Sequence, residues 1–377
     1  MLLVACALAV SAGCGGAGTE PRTPAAGEVV QATPFVVTPG DAANVAELFQ
    51  RALRLLADGK ALEAAELFDL VATADPSGTY AVPARFNAGL AWERAGNEAT
   101  ATARFEEAIE QAPGEEIAKL AGLRASRLLV RAERWARLSE LADFLLARPD
   151  LSDVERLEAL GAKGLALAEK GEIDAAKRRV REARDLIERL GLGEGGQLPT
   201  AVAQVQFALG EIRKARSERI VFVPLPADFA DALERRCQGL LDAQSAYTDA
   251  MRSLDPHWAA MSGYRVGQLY QRLHQDILAI SPPPQADTPE RKALFEAALR
   301  LRYRVLLEKG LKMMEHTVML GERTNQAAAW IARAREARDE LLRTLAEEKE
   351  ALRRLPYSEE DLRKALEGLE KGQRSHR

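Results

Sequence analysis

Residues 47–76 and 84–113 carry one pattern shifted by 37 positions, and this internal repeat restricts the fold more than any other feature of the chain. The first copy reads ELFQRALRLLADGKALEAAELFDLVATADP and the second ARFNAGLAWERAGNEATATARFEEAIEQAP. Ala52 matches Gly89, Leu55 matches Trp92, Gly59 matches Gly96, Ala64 matches Ala101, Phe68 matches Phe105 and Pro76 matches Pro113. Each match has a physical reason. A small residue at Ala52 or Gly89 lets two helices approach closely. Gly59 and Gly96 end the first helix in a left-handed conformation. Phe68 and Phe105 fill the space between paired helices, and the prolines stop the second helix. Such a unit cannot bury its apolar face alone, so copies must stack.

A third copy, about 117–149, is degenerate and ends at Pro149. A fourth, 157–190, is clearer, with Leu160, Gly164, Leu167, Gly171, Ala176 and Ala183, and Ser152 with Glu155 makes a capping box before it. This spacing resembles the tetratricopeptide repeat (TPR) over about 41–190. The resemblance implies an all-α chain, a TPR-like helical-hairpin solenoid with a concave face. It places a partner-binding groove on the first helix of each hairpin, at Phe49 and Leu53; at Phe86, Leu90, Glu93 and Arg94; at Lys119 and Ser126; and at Leu165 and Glu169. The groove lacks the paired Lys and Asn with which TPR chaperone adaptors clamp a C-terminal carboxylate. Apolar anchors with flanking charges suit a peptide helix or an extended segment. The competing reading packs these residues on the second half of the chain or on the N-terminal stretch.

Helical periodicity continues beyond the repeats. Residues 191–225 read as a Gly-rich linker, a helix at 200–218 and an extended connector, ERIVFVPLP, which Pro224 and Pro226 confine to an edge or a link. A long-helix region, 226–355, holds helices at 227–254, 256–280, 289–322 and 325–354, the third opened by Thr288-Pro289-Glu290. A terminal helix at 359–371 and a basic tail occupy 356–377. The segment Asp255–Leu278 looks like a degenerate TPR-type helix. With the run RYRVLLEKGLKMMEHTVMLGERTN it resembles the C-terminal half of TPR proteins from myxobacteria and relatives, some of which serve envelope machines, and which brings no active site.

Residue chemistry argues for binding rather than catalysis. A net charge of -4 is not the footprint of a nucleic-acid binder. His257, His274, His316 and His376 form no H-E-x-x-H, and His274 and Asp276 point to different sides of a helix, so these read as ordinary surface or partly buried histidines. GLGEGG at 191–196 spells a dinucleotide fingerprint but follows a helix rather than a strand, so it reads as a helix stop. Cys237, beside Arg235 and Arg236, reads as core filler, with a reactive thiol as the alternative. Met313, Met314 and Met319 read as core, with an adaptable docking surface as the alternative. The basic end KGQRSHR reads as a solvated terminus, and Glu106-Glu107 as a solvated helix face. Nothing implies a cofactor or a metal.

The N-terminus speaks to location. Leu2–Val10 is a nine-residue apolar run, too short to span a bilayer, which needs about 20 residues. With Ser11, Ala12, Gly13 and Cys14 it resembles a bacterial lipoprotein signal. The resemblance implies a signal peptide over 1–14, acyl chains on Cys14 and sorting to the periplasmic face of the outer membrane. No Lys or Arg precedes the apolar run, and Ser11 stands where the family usually has Leu. Cys6 as the acylated residue, or no acylation, remains open. Residues 15–40, with four prolines and five glycines, read as a disordered tether. Fully extended it reaches roughly 85–90 Å. The expectation is a membrane-tethered scaffold for protein partners in the periplasm. The alternatives are a soluble cytoplasmic TPR protein with a mis-called start, and a cell-envelope enzyme with a TPR targeting arm.

Overall fold

The computed structural model describes residues 43–193, 198–253, 255–284, 286–324, 327–354, 356–358, 360 and 362. The expected signal peptide, Cys14, the tether, most of the terminal helix and the basic tail lie outside them, as does 194–197 of the Gly-rich stretch. The described residues form thirteen α-helices and no strand. They divide into two compact units, one ending at Leu192 and one beginning at Gly193.

The first unit is four helical hairpins. They are α1 (Ala43–Ala57) with α2 (Ala61–Ala74), α3 (Ala81–Arg94) with α4 (Glu98–Gln111), α5 (Glu116–Arg131) with α6 (Trp135–Leu146), and α7 (Asp153–Glu169) with α8 (Ile173–Arg189). Each helix packs on its neighbours in sequence, and α5 also touches the first helices on either side of it, α3 and α7. One device closes every hairpin. Gly59, Gly96 and Gly171 take φ of 78°, 82° and 80°. The following amide then donates back to the first helix: Lys60 to Leu55, Asn97 to Trp92 and Glu172 to Leu167, all at 2.9 Å. The third hairpin makes the same bond, Arg134 to Leu129 at 2.9 Å, but its left-handed residue is Glu133 at φ 55°.

Close helix approach follows the expected small residues. A Cβ on Gly89 would lie 2.6 Å from the Phe105 ring, and one on Gly164 would lie 2.8 Å from Val180 Cγ2. The third hairpin has Ser126 at this position and moves the approach one turn earlier, to Gly122 against Leu145. Phe68 and Phe105 are fully buried between helices, each contributing about 1.5–3 kcal/mol. The Ser152 and Glu155 capping box forms as expected. In α8 the apolar stripe Ile173, Ala176, Val180, Ala183 and Leu186 is buried and the remaining surface is charged.

The second unit holds α9 (Thr200–Glu218), α10 (Phe229–Met251), α11 (Pro256–Leu278), α12 (Pro289–Thr324) and α13 (Ala328–Arg353), within three residues of the expected bounds. Each packs on its sequence neighbours, while α9 and α13 touch α11 more lightly. This is the neighbour pattern of the first unit, with longer helices. α9 packs heavily on α10, so 191–225 contains a core helix of this unit as well as connecting chain. The connector after α9 is irregular: Phe222 turns inward against Phe229 while Val221 and Val223 are exposed, and the Val223–Pro224 peptide is cis. Asp255 caps α11 by accepting from the amides of His257 and Trp258, and Thr288 accepts from Arg291 at the start of α12. Gly210 lies against the Tyr247 ring, and Gly267 and Gly310 bring α11 and α12 together.

Several side chains depart from expectation. His274 is neither surface nor partly exposed; it is buried in α11, 3.3 Å from Glu348 of α13. Met314 is core, whereas Met319 is exposed, so the methionines do not share one environment. Cys237 is half-buried.

Candidate functional site

The structure separates the ten expected groove residues into two groups. Phe49, Phe86, Leu90, Ser126 and Leu165 are buried and present no surface to a partner. Phe49 packs between Phe68 and Tyr80, with ring centroids 5.4 and 5.2 Å away, and Phe86 packs on Phe105 at 5.7 Å. The reason is geometric. A first helix in the stack is covered by its own second helix, by the preceding one and by neighbouring first helices, so its buried arc is wide. Leu53 is half-buried and packs against the α1–α2 core. Only Glu93, Arg94, Lys119 and Glu169 offer charge at the surface.

On this face the charges tie helix to helix. Glu93 of α3 meets Arg124 of α5 at 3.6 Å, Lys119 of α5 meets Glu155 of α7 at 3.5 Å, and Arg127 binds Glu158 of α7 through two bonds of 2.6 and 2.8 Å. Burial alone would raise the Glu155 carboxyl, but the Ser152 cap and Lys119 outweigh it and hold it low.

Two further ladders run along the second helices, and the sequence comparison had passed over both. Asp69, Glu106 and Asp143 occupy one repeat position, and each binds a cation of the next hairpin: Arg104 at 2.7 Å, Arg137 at 2.6 Å and Lys163. In the fourth hairpin that position is the exposed Arg181. The second ladder joins helix ends. Gln111 donates to the Pro76 carbonyl at 2.6 Å, and Arg148, at the same position one repeat later, donates to the Pro113 and Glu115 carbonyls. Arg148 also bonds Asp150 and so holds that carboxyl below its ordinary range. A charge at positions 69, 106 and 143, spaced by 37, was the available signal.

Each unit also carries a cleft between the second helices of successive hairpins, floored by an intervening first helix. In the first unit it has a volume of about 470 Å³ among α6, α7 and α8, with Asp143, Arg156, Arg179, Glu182 and Arg189 on its walls. These charges already face protein groups: Arg156 donates to the Arg148 carbonyl, Arg179 to Glu182, and Asp143 accepts from Lys163. In the second unit the cleft among α10, α11 and α12 is about 200 Å³ and mostly apolar. Among the described residues, Leu233, Leu240, Leu273, Ile277 and Leu306 line it, Cys237 sits in its wall, and Arg302 and Lys309 add positive charge.

One polar cluster is wholly internal to the second unit. Glu211 of α9 is buried and accepts from Tyr247 of α10 at 2.8 Å, with Arg265 of α11 2.8 Å away and Lys214 alongside. Burial alone would raise this carboxyl; the two cations, the Lys214 bond and the Tyr247 bond outweigh it and hold it below the ordinary carboxylate range. The cluster pins α9, α10 and α11 together. Among the described residues no group of three metal-ligating side chains occurs, and no helix is long and apolar enough to cross a membrane.

No family model matches the chain, and no curated protein matches it. Among solved structures it is similar to a tetratricopeptide repeat protein from Parabacteroides merdae ATCC 43184, at 12% identity and a TM-score of 0.39, covering 78% of this chain and 99% of that one. It is also similar to a putative kinesin light chain with nearly identical TPR-like repeats from Podosopora anserina, at 14% identity and a TM-score of 0.37, covering 55% of this chain and all of that one. Both likenesses are weak, and the architecture rests on the turns and contacts described above: the described residues are all helical and build stacked, TPR-like hairpins.

Proposed function

We propose that this chain is a membrane-tethered hairpin-repeat scaffold that binds protein partners in the bacterial envelope. The observation that carries the binding half is the set of ion ladders. Three repeats in register commit their charges to joining hairpins, which builds a firm framework with clefts between second helices. Tethering is supported by the sequence alone: the apolar run, Ser11–Cys14 and the Pro/Gly-rich stretch after it. Two or more acyl chains, at about 0.8 kcal/mol per buried CH₂, anchor stably. In this reading Cys14 holds the chain to the periplasmic face of the outer membrane, residues 15–40 give it reach, and the hairpins recruit partners without chemistry of their own.

Replacing Cys14 with Ser tests the tether. The Cys14→Ser protein is expected in the soluble periplasmic fraction, with its partners no longer sedimenting with membranes. An unchanged membrane fraction for Cys14→Ser would remove lipid anchoring at this residue from the proposal.

A further inference from the structure

We infer that the cleft among α6, α7 and α8 binds a peptide segment of a partner through a side-chain carboxylate, held by Arg156 and Arg189. This rests on the scaffold reading and names the chemistry of one of its binding sites. The cleft exists because one rung of the charge ladder is not made. Arg104 binds Asp69 of the preceding hairpin at 2.7 Å and Glu107 of its own helix at 2.6 Å. Two repeats later these three positions are Arg179, Asp143 and Glu182. Arg179 keeps the bond within its helix, to Glu182 at 2.9 Å, but Asp143 turns to Lys163 of α7 instead. Lys163 stands where the two preceding hairpins have Ala88 and Ala125, and it also bonds the Ser139 hydroxyl of α6 at 2.8 Å. Asp143 and Arg179 therefore line the α6 and α8 walls of an open cleft of about 470 Å³. That volume lies within the roughly 300–1,000 Å³ of ligand sites.

The lining selects the ligand. Arg156 is half-buried in the first turn of α7, and among the described residues its side chain has one partner, the Arg148 carbonyl at 3.4 Å. A guanidinium taken partly out of water beside a carbonyl alone favours an incoming anion. Arg189 of α8 lies at the same end of the cleft, because it is 4.0 Å from Asp153, one turn before Arg156 on α7. Arg189 and Asp153 are both mostly exposed, so that contact holds Arg189 weakly. Leu160 and Leu186 are buried and give the cleft an apolar floor. Asp143 and Glu182 put negative charge on the walls, which repels a doubly charged phosphate more than a single carboxylate on an aliphatic stem. A peptide meets all three features. Its Glu or Asp carboxylate suits Arg156 and Arg189, an apolar side chain suits the leucines, and its backbone N–H groups suit Asp143 and Glu182.

The test selects phage-displayed random peptides of about 12 residues on the full, purified chain and measures the enriched ones by fluorescence anisotropy. The expected result is a set of peptides with an acidic residue beside an apolar one, whose amide copies bind at least ten-fold more weakly. Arg156→Gln and Arg189→Gln are each expected to lose at least ten-fold in affinity for these peptides. Arg189 is at the surface, so its variant reports on the site even if Arg156→Gln disturbs the end of α6. Lys163→Ala copies the preceding hairpins, frees Asp143 for Arg179 and is expected to weaken the same peptides by closing the cleft, although it removes no group assigned to the ligand. Enriched peptides without acidic residues, or affinities unchanged in Arg189→Gln and Lys163→Ala, overturn the proposal. So does a selection that enriches nothing. If short-chain phosphatidylglycerol binds through Arg156 while no peptide is enriched, the cleft is a headgroup site and the proposal falls. In-cell crosslinking of the wild type separates the two claims: if no peptide is enriched while an envelope protein still crosslinks, the cleft falls and the scaffold reading stands.

Discussion

Glu133 occupies a left-handed turn, φ 55°, that glycine fills in the other three hairpins of the first unit. A side chain there costs about 1–2 kcal/mol. Glu133→Gly is therefore expected to stabilise the first unit by about 0.5–1 kcal/mol, after the extra backbone entropy of glycine in the unfolded chain is subtracted. Urea unfolding followed by Trp92 and Trp135 fluorescence measures it. The reverse change, Gly96→Ala at φ 82°, is expected to cost about 1 kcal/mol. Gly89→Ala is expected to cost about 1–3 kcal/mol because its Cβ meets the Phe105 ring at 2.6 Å, and Phe105→Leu in the same chain should restore part of the loss. At this scale the sequence was informative wherever one residue type meets a hard steric demand. Gly59, Gly96, Gly171 and Gly89 were legible for that reason. The third hairpin was not, because Glu133 pays the turn's cost and Gly122 moves the close approach by one turn. Phe49, Phe86, Leu90, Ser126 and Leu165 were misplaced because helical periodicity identifies an apolar arc without telling how many neighbours cover it.

Between helices, the ties that set hairpin against hairpin are polar, and they were invisible to a comparison weighted toward Gly, Ala, Phe and Pro. Arg148 binds the carbonyls that end the α4–α5 turn, where the preceding repeat uses Gln111 for Pro76. Arg148→Ala is expected to destabilise the first unit by about 1–2 kcal/mol, since the Pro113 and Glu115 carbonyls lose a charged donor and the buried Arg148 stem leaves a gap. Arg148→Gln, which copies the preceding repeat, should recover a measurable part in the same urea experiment. In the second unit the tie is Glu211. Its folded carboxyl titrates below the ordinary value of 4.5. The group binds fewer protons folded than unfolded, so its contribution is complete above about pH 4.5 and is lost as pH falls through the lower folded value. Glu211→Gln is expected to cost about 3 kcal/mol at pH 7, because Arg265 and Lys214 are left facing a neutral amide. The gap between variant and wild type should close as pH falls below 4.5, with unfolding of this unit followed through Trp258 and Trp330.

As a whole, the described residues form two units of packed helices, and the proposal adds an N-terminal lipid anchor to them. The repeat register of the first, second and fourth hairpins and the helix bounds of the second unit were readable, because period, caps and proline stops are local. The usable binding surface was not, because it depends on which arcs remain uncovered after packing. The measurement that most directly tests a tethered scaffold is mass spectrometry on the native protein, crosslinked in its cells and purified from detergent-solubilised membranes. The predicted result is an N-terminal peptide that starts at an acylated Cys14, together with an envelope protein crosslinked in fixed ratio. An unprocessed Met1 peptide would contradict the tether, and an acylated chain with no crosslinked protein would contradict the scaffold.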